Sequence, residues 1–390
     1  MSSESIRRYV SERLASVYVP TPFPLSYGTA GFRCLSPKLN GIAVRVGVLA
    51  ALRSLLMKGS FIGVMITASH NPPHDNGIKL VDPSGGMLDS AWEPKVIDFM
   101  RCTAENLTKW MEDQLKDMDA SSYIPHVLVG YDTRESSPCL ANEVILGVEM
   151  MQGSCVQLGL ITTPQLHFGV QLLNKHDVTW PIPDVISLLD DRYTKHFATR
   201  FLSGLAALGP GTAIELNVDC ANGVGCVALK KLTDALSDRC DAANGHGTVL
   251  YSPAAMQFIS TLDPVHPLAI FVSLTNTAIG DAITDILMVE FVLTWQKWSL
   301  VDWANLYTEL PYQQIKDIID QLVTDVEVHT GKPGYSRAFV RPSGTENIAR
   351  VYAESVSADC ASWLAQRVAL ATFNLAGGTG TPPGDPGPLQ

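Results

Sequence analysis

The sequence predicts an α/β fold of several domains, in which helices cover mixed β-sheets. The chain has 390 residues, which is more than one ordinary hydrophobic core takes. Apolar residues make up 46% of it and charged residues 17%, a balance typical of globular proteins. Short β-branched runs alternate with segments of helical pattern, and this alternation favours layers of helix and sheet.

The charge balance excludes some classes of partner. Lys and Arg total 28 against 39 Asp and Glu, so the formal net charge is −11. Such a surface argues against nucleic acid or an anionic membrane as a partner, and an anionic small molecule would need a local positive cluster. The most apolar stretch, residues 268–295, is interrupted by three carboxylates, which favours a buried strand followed by a helix over a membrane span.

Cysteine spacing and the first residues bear on location. The eight cysteines are scattered without C-x-x-C spacing, as expected for reduced cytosolic thiols. Residues 1–14 carry early charges and lack the apolar core of a signal peptide. We therefore expect a cytoplasmic protein, and the sequence leaves its oligomeric state open.

Residues 61–88 hold the strongest local signal. The apolar run Phe61–Ile66 predicts a buried strand that ends abruptly in a polar loop. Asn76-Gly77 predicts a turn before a second strand at Ile78–Val81. The polar loop between the two strands is therefore expected to be displayed rather than buried in the core.

Ser69 and His70 stand at the tip of this loop. A displayed serine beside His70 and Lys79 suits a nucleophile, because a serine needs a base or an electrostatic partner before it can attack. An isolated Ser-His pair is nevertheless more often an ordinary turn or cap.

The whole string weighs against that ordinary interpretation. T-A-S-H-N-P at residues 67–72 resembles the active-site loop of the α-D-phosphohexomutases, and D-N-G-I-K-L-V-D-P at 75–83 is similar to the acetylglucosamine branch of that family. The resemblance implies that Ser69 carries a phosphoryl group and helps to bind Mg²⁺. His70, Lys79 and His246 are the candidate proton carriers.

A second string lies upstream, between a helix predicted at residues 6–17 and another at 42–57. In Y-G-T-A-G-F-R at 27–33, two glycines permit close backbone approach to a ligand, and Arg33 offers a fork of donors suited to phosphate. The string resembles the N-terminal signature of the same family, which implies that Arg33 faces the active site.

A helix predicted at residues 92–115 precedes G-Y-D-T-R-E-S-S, residues 130–137, which follows a predicted strand at His126–Tyr131. The polar end of this strand permits two interpretations. It is either an anion-facing turn, or a structural turn in which a serine caps the next helix and Asp132 pairs with Arg134. A further element, T-T-P-Q-L-H at 162–167, also resembles the family and is expected to be structural.

The middle of the chain departs from the family pattern. After a boundary expected near Trp180, a strand at 213–218, a Gly-rich turn and a helix at 226–236 do not match G-x-G-x-x-G, so a dinucleotide site is rejected. The family's D-G-D-A-D-R string, whose carboxylates hold Mg²⁺ against the phosphoserine, is absent. On the order of 100 residues or more are therefore missing between the second and third domains, as in a spliced or mispredicted transcript.

A sugar-recognition loop follows directly. A-A-N-G-H-G-T at residues 242–248 resembles the family's E-A-N-G-H-G-T, with Ala242 in place of glutamate. The resemblance implies that this string contacts the sugar, through Ala242, Ala243, Asn244 and His246.

The last domain is predicted as two strands, at Arg337–Val340 and Ile348–Ala353, and a helix at 358–376. The loop between the strands, R-P-S-G-T-E, offers hydroxyls, free amides and, with Arg350, two guanidinium groups, a set that suits a dianionic phosphate. An ordinary turn with salt bridges is the alternative. The loop resembles the family's phosphate-binding loop, whose positions here are Arg341, Pro342, Ser343, Gly344 and Thr345.

The resemblance implies three α/β mixed-sheet domains and a C-terminal α+β domain, at 1–180, 181–239, 240–295 and 296–376, with the second and third incomplete. The Gly- and Pro-rich residues 377–390 are expected to be disordered.

The activity implied is that of an isomerase, which interconverts N-acetylglucosamine 6-phosphate and 1-phosphate through a phosphoserine and a bisphosphate and feeds UDP-N-acetylglucosamine synthesis. A related phosphoglucomutase or phosphoglucosamine mutase remains an alternative, as does an inactive truncated product that only binds sugar phosphates.

Overall fold

The computed structural model describes residues 26–28, 31–68, 71–116, 122–175, 184–208, 223–236, 253–276, 279–305, 312–342 and 349–389. The chain divides into two compact units, Met1–Trp295 (unit 1) and Gln296–Gln390 (unit 2). In the part of the chain that the structure describes, no helix is both long enough and apolar enough to cross a membrane.

Unit 1 is built on one five-stranded mixed sheet in the order β1-β3-β2-β4-β5. Strand β3 is antiparallel to both β1 and β2, while β2, β4 and β5 run parallel. The strands are β1 (Phe32–Leu35), β2 (Phe61–Ile66), β3 (Asp75–Val81), β4 (His126–Tyr131) and β5 (Ser154–Leu160).

Both faces of this sheet are covered by helices, so the central strands are apolar on both sides. Alternation along β2 sends Ile62, Val64 and Ile66 to one cluster and Phe61 and Met65 to the other. The first cluster is closed by α1 (Ile42–Leu56), α2 (Glu93–Arg101), α3 (Ala104–Leu115) and α4 (Ser137–Met150).

Helices α1 and α4 cross at two glycines. A Cβ atom added at Gly47 would lie 2.0 Å from the carbonyl oxygen of Val144, and one added at Gly147 would lie 2.0 Å from that of Val44. The two backbones therefore touch directly, and only glycine leaves room for this approach at either position.

The second cluster joins the sheet to a helical region. Its apolar side chains include Leu166, Phe197, Leu232 and Phe291. The helices of this region are α5 (Thr163–Leu173), α6 (Val185–Leu208), α7 (Gly225–Leu236), α8 (Pro253–Ser260), α9 (Pro267–Ser273) and α10 (Ala282–Gln296). Segments that the sequence divides among three domains thus share one core within unit 1.

The strand predicted in residues 268–295 is wrong, because both halves of this stretch are helical. Helix α9 begins at Pro267, with the side chain of His266 accepting a hydrogen bond from the Leu268 amide. Before α10, Asp281 accepts from the Ile283 amide and from the Tyr193 hydroxyl, 2.5 Å away. Capping groups start both helices, and an apolar run alone does not distinguish a buried helix from a buried strand.

Two other local predictions differ from the structure. Asn76 and Gly77 lie inside β3, where Gly77 pairs with Arg33 of β1, rather than in a turn. The helix predicted at residues 92–115 is broken at 102–103 between α2 and α3. The predictions of a helix at 6–17, a boundary at Trp180 and a strand at 213–218 fall outside the described residues.

Unit 2 is a two-stranded antiparallel hairpin packed on helices. Helix α11 (Leu300–Ala304) and α12 (Tyr312–Thr330) precede β6 (Arg337–Pro342), β7 (Ala349–Glu354) and α13 (Ala358–Leu375). Ile315, Val326, Leu364 and Val368 bring α12 and α13 together in its core.

The C-terminal tail is ordered, contrary to the expectation of disorder. Trp363 Nε1 donates to the Gly387 carbonyl at 2.8 Å, Arg367 pairs with Asp385 at 3.0 Å, and Leu389 packs against the core of unit 2. Composition predicted disorder because the tail has few apolar residues, but these contacts attach it to the α13 surface.

Candidate active site

The parallel pairing of β2 and β4 places their carboxyl ends side by side. Ile66 pairs with Tyr131, so the segments that follow both strands leave the same edge of the sheet. The Asp132 amide donates to the Ile66 carbonyl at 3.0 Å, and the Thr67 hydroxyl donates to Asp132 Oδ2 at 2.7 Å. Ligand sites of α/β sheets form at such edges.

A tight turn follows Thr67. The Asn71 amide donates to the Ala68 carbonyl at 3.0 Å, and the Asp75 amide donates to the Pro72 carbonyl at 3.0 Å. Ser69 and His70 stand between Ala68 and Asn71 in the chain and lie outside the described residues. Their assignment as nucleophile and proton carrier stays a prediction.

Arg134 holds the far side of this turn. Its Nη1 donates to the carbonyls of Pro72 (2.6 Å) and Asp75 (2.9 Å), and its Nη2 donates to that of Asn71 (2.9 Å). Its Nε pairs with Asp132 Oδ2 at 3.1 Å. The side chain of Arg134 is only 10% exposed, so these bonds are shielded from water.

These contacts favour the structural interpretation of residues 130–137, with one change. Asp132 does pair with Arg134, but Ser136, the N-cap residue of helix α4, makes no capping hydrogen bond with its side chain. Ser136 and Ser137 instead accept hydrogen bonds from the Asn76 amide group, and Ser137 donates to Asp132 at 2.7 Å. The segment therefore ties the end of β4 to β3, and the Arg134 guanidinium is occupied by backbone carbonyls.

Arg33 reaches the same turn from β1. Its Nη1 donates to Asn71 Oδ1 at 3.3 Å, and the side chain is half-buried. A Cβ atom added at Gly77 would lie 3.0 Å from Arg33 Cγ and 2.6 Å from the Thr67 carbonyl oxygen. Glycine at position 77 thus admits the arginine beside the end of β2.

Lys79 is buried on β3, with its ammonium 3.9 Å from Met87 Sδ. Burial, and then the positive charge of Arg33, lower the pKa of Lys79 from its ordinary value of 10.5 to about 7. A lysine with a pKa close to neutrality can both give and take a proton, which a fully solvated lysine does poorly.

His167 of α5 lies near Lys79, a position that the sequence predicts only as structural. The ring is fully buried, and Nδ1 donates to the Gly85 carbonyl at 2.7 Å. Burial, followed by the charge of Lys79, holds the pKa of His167 well below its ordinary value. The imidazole is therefore neutral, with its proton on Nδ1 because a carbonyl can only accept.

Unit 2 carries a separate positive pair. Arg341 near the end of β6 and Arg350 near the start of β7 are directly paired across the hairpin. They flank residues 343–348, which include Ser343, Gly344 and Thr345 and lie outside the described residues. At the other end of the hairpin Arg337 is neutralised by Glu354, 2.5 Å away.

Other predicted site residues remain untested by the structure. Ala242, Ala243, Asn244 and His246 lie outside the described residues. For Pro342 the structure gives the backbone, which pairs with Ala349 at the end of the hairpin.

Comparison with known proteins decides the family. Models of known protein families match three parts of the chain. The model of phosphoglucomutase/phosphomannomutase α/β/α domain I matches residues 48–107 and 99–179, and the model of the C-terminal domain of the same proteins matches residues 304–371. The model of phosphoacetylglucosamine mutase AMG1 domain III matches residues 239–298. The phosphoacetylglucosamine mutase of Sus scrofa is 30% identical, over 96% of this chain and 98% of that protein. The chain belongs to the phosphoacetylglucosamine mutase family.

Other members of the family agree in sequence and fold. The Homo sapiens phosphoacetylglucosamine mutase is 29% identical, over 93% of this chain and 96% of that protein. A solved N-acetylglucosamine-phosphate mutase in its substrate complex is 25% identical, with a TM-score of 0.68 over 93% of this chain and 99% of that one. The Aspergillus fumigatus mutase solved with GlcNAc-6P and magnesium shares the fold at 23% identity and a TM-score of 0.66, over 95% of this chain and 99% of that one. The family and fold class predicted from short strings are confirmed.

The alignment also measures the gap in this chain. The alignment with the Sus scrofa mutase spans 543 positions, and this chain has 390 residues, so the alignment is longer by 153 positions. At least that many positions of the alignment therefore have no residue here.

A Mg²⁺ site of the family type does not fit the residues that the structure describes. Among them no group of three or more His, Cys, Asp or Glu side chains could hold a metal ion. Asp132, a carboxylate next to the turn after β2, accepts hydrogen bonds at both oxygens, from Ser137 and from Thr67 and Arg134. It is committed to holding the turn.

Proposed function

We propose that this chain is a phosphoacetylglucosamine mutase, which interconverts N-acetylglucosamine 6-phosphate and N-acetylglucosamine 1-phosphate. The observation that carries the proposal is the segment after β2, which contains the T-A-S-H string in its sequence and contacts Arg33 through Asn71 and Asp132 through Thr67. Family membership supplies the substrate class.

The reaction begins with a phosphoryl group on Ser69. The 1-hydroxyl of N-acetylglucosamine 6-phosphate attacks this phosphorus, a new P–O bond to the sugar forms and the P–Oγ bond breaks. The proton of the sugar hydroxyl is transferred to Ser69 Oγ. The bisphosphate reorients in the site. Ser69 Oγ then attacks the phosphorus at the 6-position, and the bond between that phosphorus and the sugar 6-oxygen breaks. The 6-oxygen takes the proton from Ser69 Oγ.

The groups around the turn suit the charge changes of these steps. The guanidinium of Arg33 supplies a fixed positive charge beside the phosphoryl group during its transfer, and this charge stabilises the transition state. Lys79 has a pKa of about 7, so it can donate or accept the transferred proton. His70 and His246 are the alternative proton carriers.

Two further parts recognise the rest of the substrate. Arg341 and Arg350, which are opposite each other in the hairpin of unit 2, are the proposed phosphate-binding residues of that unit, with Ser343 and Thr345 as additional donors. Asn244 and His246 recognise the sugar. The described residues do not fit a Mg²⁺ site, and the family's D-G-D-A-D-R string is absent from the sequence, so we expect slow turnover.

The test follows the covalent step directly. Purified chain is incubated with glucose 1,6-bisphosphate and its intact mass is measured, with formation of N-acetylglucosamine 1-phosphate followed by ³¹P NMR. Wild type and Ser84→Ala, a variant in an exposed turn of the same unit, should gain one phosphoryl group. Ser69→Ala should gain none and show no turnover. A phosphate adduct or mutase activity in Ser69→Ala would contradict the assignment.

A further inference from the structure

Arg134 makes an unusual set of contacts for an arginine next to an active-site turn. All three of its side-chain nitrogens donate to protein groups, and three of the acceptors are carbonyls of one short segment, at Asn71, Pro72 and Asp75. A charged donor shielded from solvent makes stronger hydrogen bonds than a neutral one. The guanidinium thus spends most of its hydrogen bonds on holding backbone.

Both ends of the turn converge on the same pair of residues. Asp132 accepts from the Thr67 hydroxyl before the turn, while Arg134 binds the carbonyls after it. The salt bridge between Asp132 and Arg134 joins the two ends. The chain position of Ser69 and His70 lies between these anchors.

We infer that Arg134 is a positioning residue for the nucleophile: it fixes the turn so that the Ser69 hydroxyl meets the phosphorus of the substrate in line. This inference rests on the proposed function of Ser69. A misplacement of a reacting group by about 1 Å can slow a reaction about 100-fold, so a loss of these contacts should reduce the transfer rate without removing any group that touches substrate.

Lysine at position 134 would retain the positive charge but not the forked set of N–H donors of a guanidinium group. A single ammonium on a flexible stem cannot reach three carbonyls and a carboxylate in one plane. Arg134→Lys should therefore free part of the turn. Arg134→Ala should free all of it, and guanidinium ion added at millimolar concentration should restore part of the lost rate by occupying the vacated position.

Arg45 provides a matched control. It is also largely shielded from solvent in unit 1, and its Nη1 also donates to three backbone carbonyls, at Phe99, Met100 and Cys102. Those carbonyls end helix α2 and lie outside the turn after β2. Arg45→Lys and Arg45→Ala thus impose a similar structural change elsewhere in the unit.

The experiment has two arms. In the first, single-turnover phosphorylation of Ser69 by glucose 1,6-bisphosphate is measured against donor concentration. Arg134→Lys should be about 10- to 100-fold slower at saturation, with a half-saturating concentration close to wild type, and Arg45→Lys should match wild type. In the second, hydrogen exchange at the Asn71 and Asp75 amides should be about tenfold faster in Arg134→Lys alone.

Each result decides one question. Unchanged phosphorylation in Arg134→Lys, or an unchanged exchange rate at Asn71 and Asp75, would overturn the inference. So would a loss of cooperative thermal unfolding in Arg134→Lys that Arg45→Lys does not share, since the role would then be purely structural. Failure of wild type to accept a phosphoryl group would refute the proposed function instead, and the exchange arm would still decide whether Arg134 holds the turn.

Discussion

Arg341 and Arg350 lie directly opposite each other in the β6–β7 hairpin of unit 2. Directly opposed residues of an antiparallel pair share one face, so both arginines lie on the same face of the hairpin, close in sequence to residues 343–348. The pair brings two positive charges to that face. A doubly charged phosphate suits such a pair, because it accepts charge-assisted hydrogen bonds from guanidinium groups.

Arg350→Ala should weaken binding of N-acetylglucosamine 6-phosphate more than it changes the transfer step. Loss of a charge-assisted hydrogen bond costs about 1.5–3 kcal/mol, or about 10- to 150-fold in affinity. Isothermal titration calorimetry measures the affinity, and single-turnover kinetics measure the transfer step. Arg367→Ala, which removes an exposed arginine of the same unit paired with Asp385, is the control and should bind normally. Equal affinity of Arg350→Ala and wild type would exclude Arg350 from the phosphate site.

Lys79→Met should change how stability depends on pH. The pKa of Lys79 is about 7 in the folded chain against an ordinary value of 10.5, so between these pH values the unfolded chain keeps a proton that the folded chain has lost. The contribution of Lys79 to the free energy of unfolding therefore rises with pH between these two values, and it is lower at pH values below both.

The difference between wild type and Lys79→Met isolates this effect from other titrating groups. We expect urea unfolding between these two pH values to show that the free energy of unfolding of wild type, relative to that of the mutant, increases with pH. Lys58→Met, at a more exposed position of the same unit, should run parallel to wild type. A pH-independent difference between wild type and Lys79→Met would mean that Lys79 stays charged in the folded protein.

Gly47→Ala should destabilise unit 1. The new methyl group would lie 2.0 Å from the Val144 carbonyl oxygen, so α1 and α4 would have to separate. Overpacking of this kind costs about 1–3 kcal/mol, and thermal unfolding measures it. Gly225→Ala is the control because nothing lies within 4 Å of its Cβ position, and helix propensity there favours alanine by up to about 1 kcal/mol. Similar melting temperatures for both variants would show that the helix crossing adjusts freely.

Added Mg²⁺ should raise mutase turnover only slightly, and turnover should stay far below that of the Homo sapiens relative measured in parallel. The reason lies in the sequence, which lacks the D-G-D-A-D-R string, while Mg²⁺ requires several oxygen ligands in near-octahedral geometry. Turnover equal to that of the relative, with the same dependence on Mg²⁺, would reveal a replacement set of carboxylates.

Several features follow from the sequence alone because their causes are local. The bounds of β2 and β4 match the apolar runs Phe61–Ile66 and His126–Tyr131, since an abrupt change from β-branched to polar residues ends a buried strand wherever it occurs. The hairpin and helix of unit 2 follow from the same periodicities. The string around Ser69 was sufficient to predict the family.

Other features were decided only by tertiary contacts. Asn76 and Gly77 form a strand rather than a turn because β1 offers a partner edge to that segment, and edge pairing between distant residues leaves no local signal. Residues 267–273 and 282–296 are helical because capping groups and the shared core outweigh a pattern that also fits a strand.

The active-site electrostatics belong to the same class. Nothing adjacent to Lys79 in the chain predicts a pKa of about 7, which results from burial in unit 1 beside Arg33. The three carbonyls held by Arg134 are 59 to 63 residues away in sequence and meet it only because β2 and β4 are parallel neighbours. Sequence determined which groups are present, and the folded sheet decided which of them meet, because desolvation and hydrogen bonding depend on distance in space.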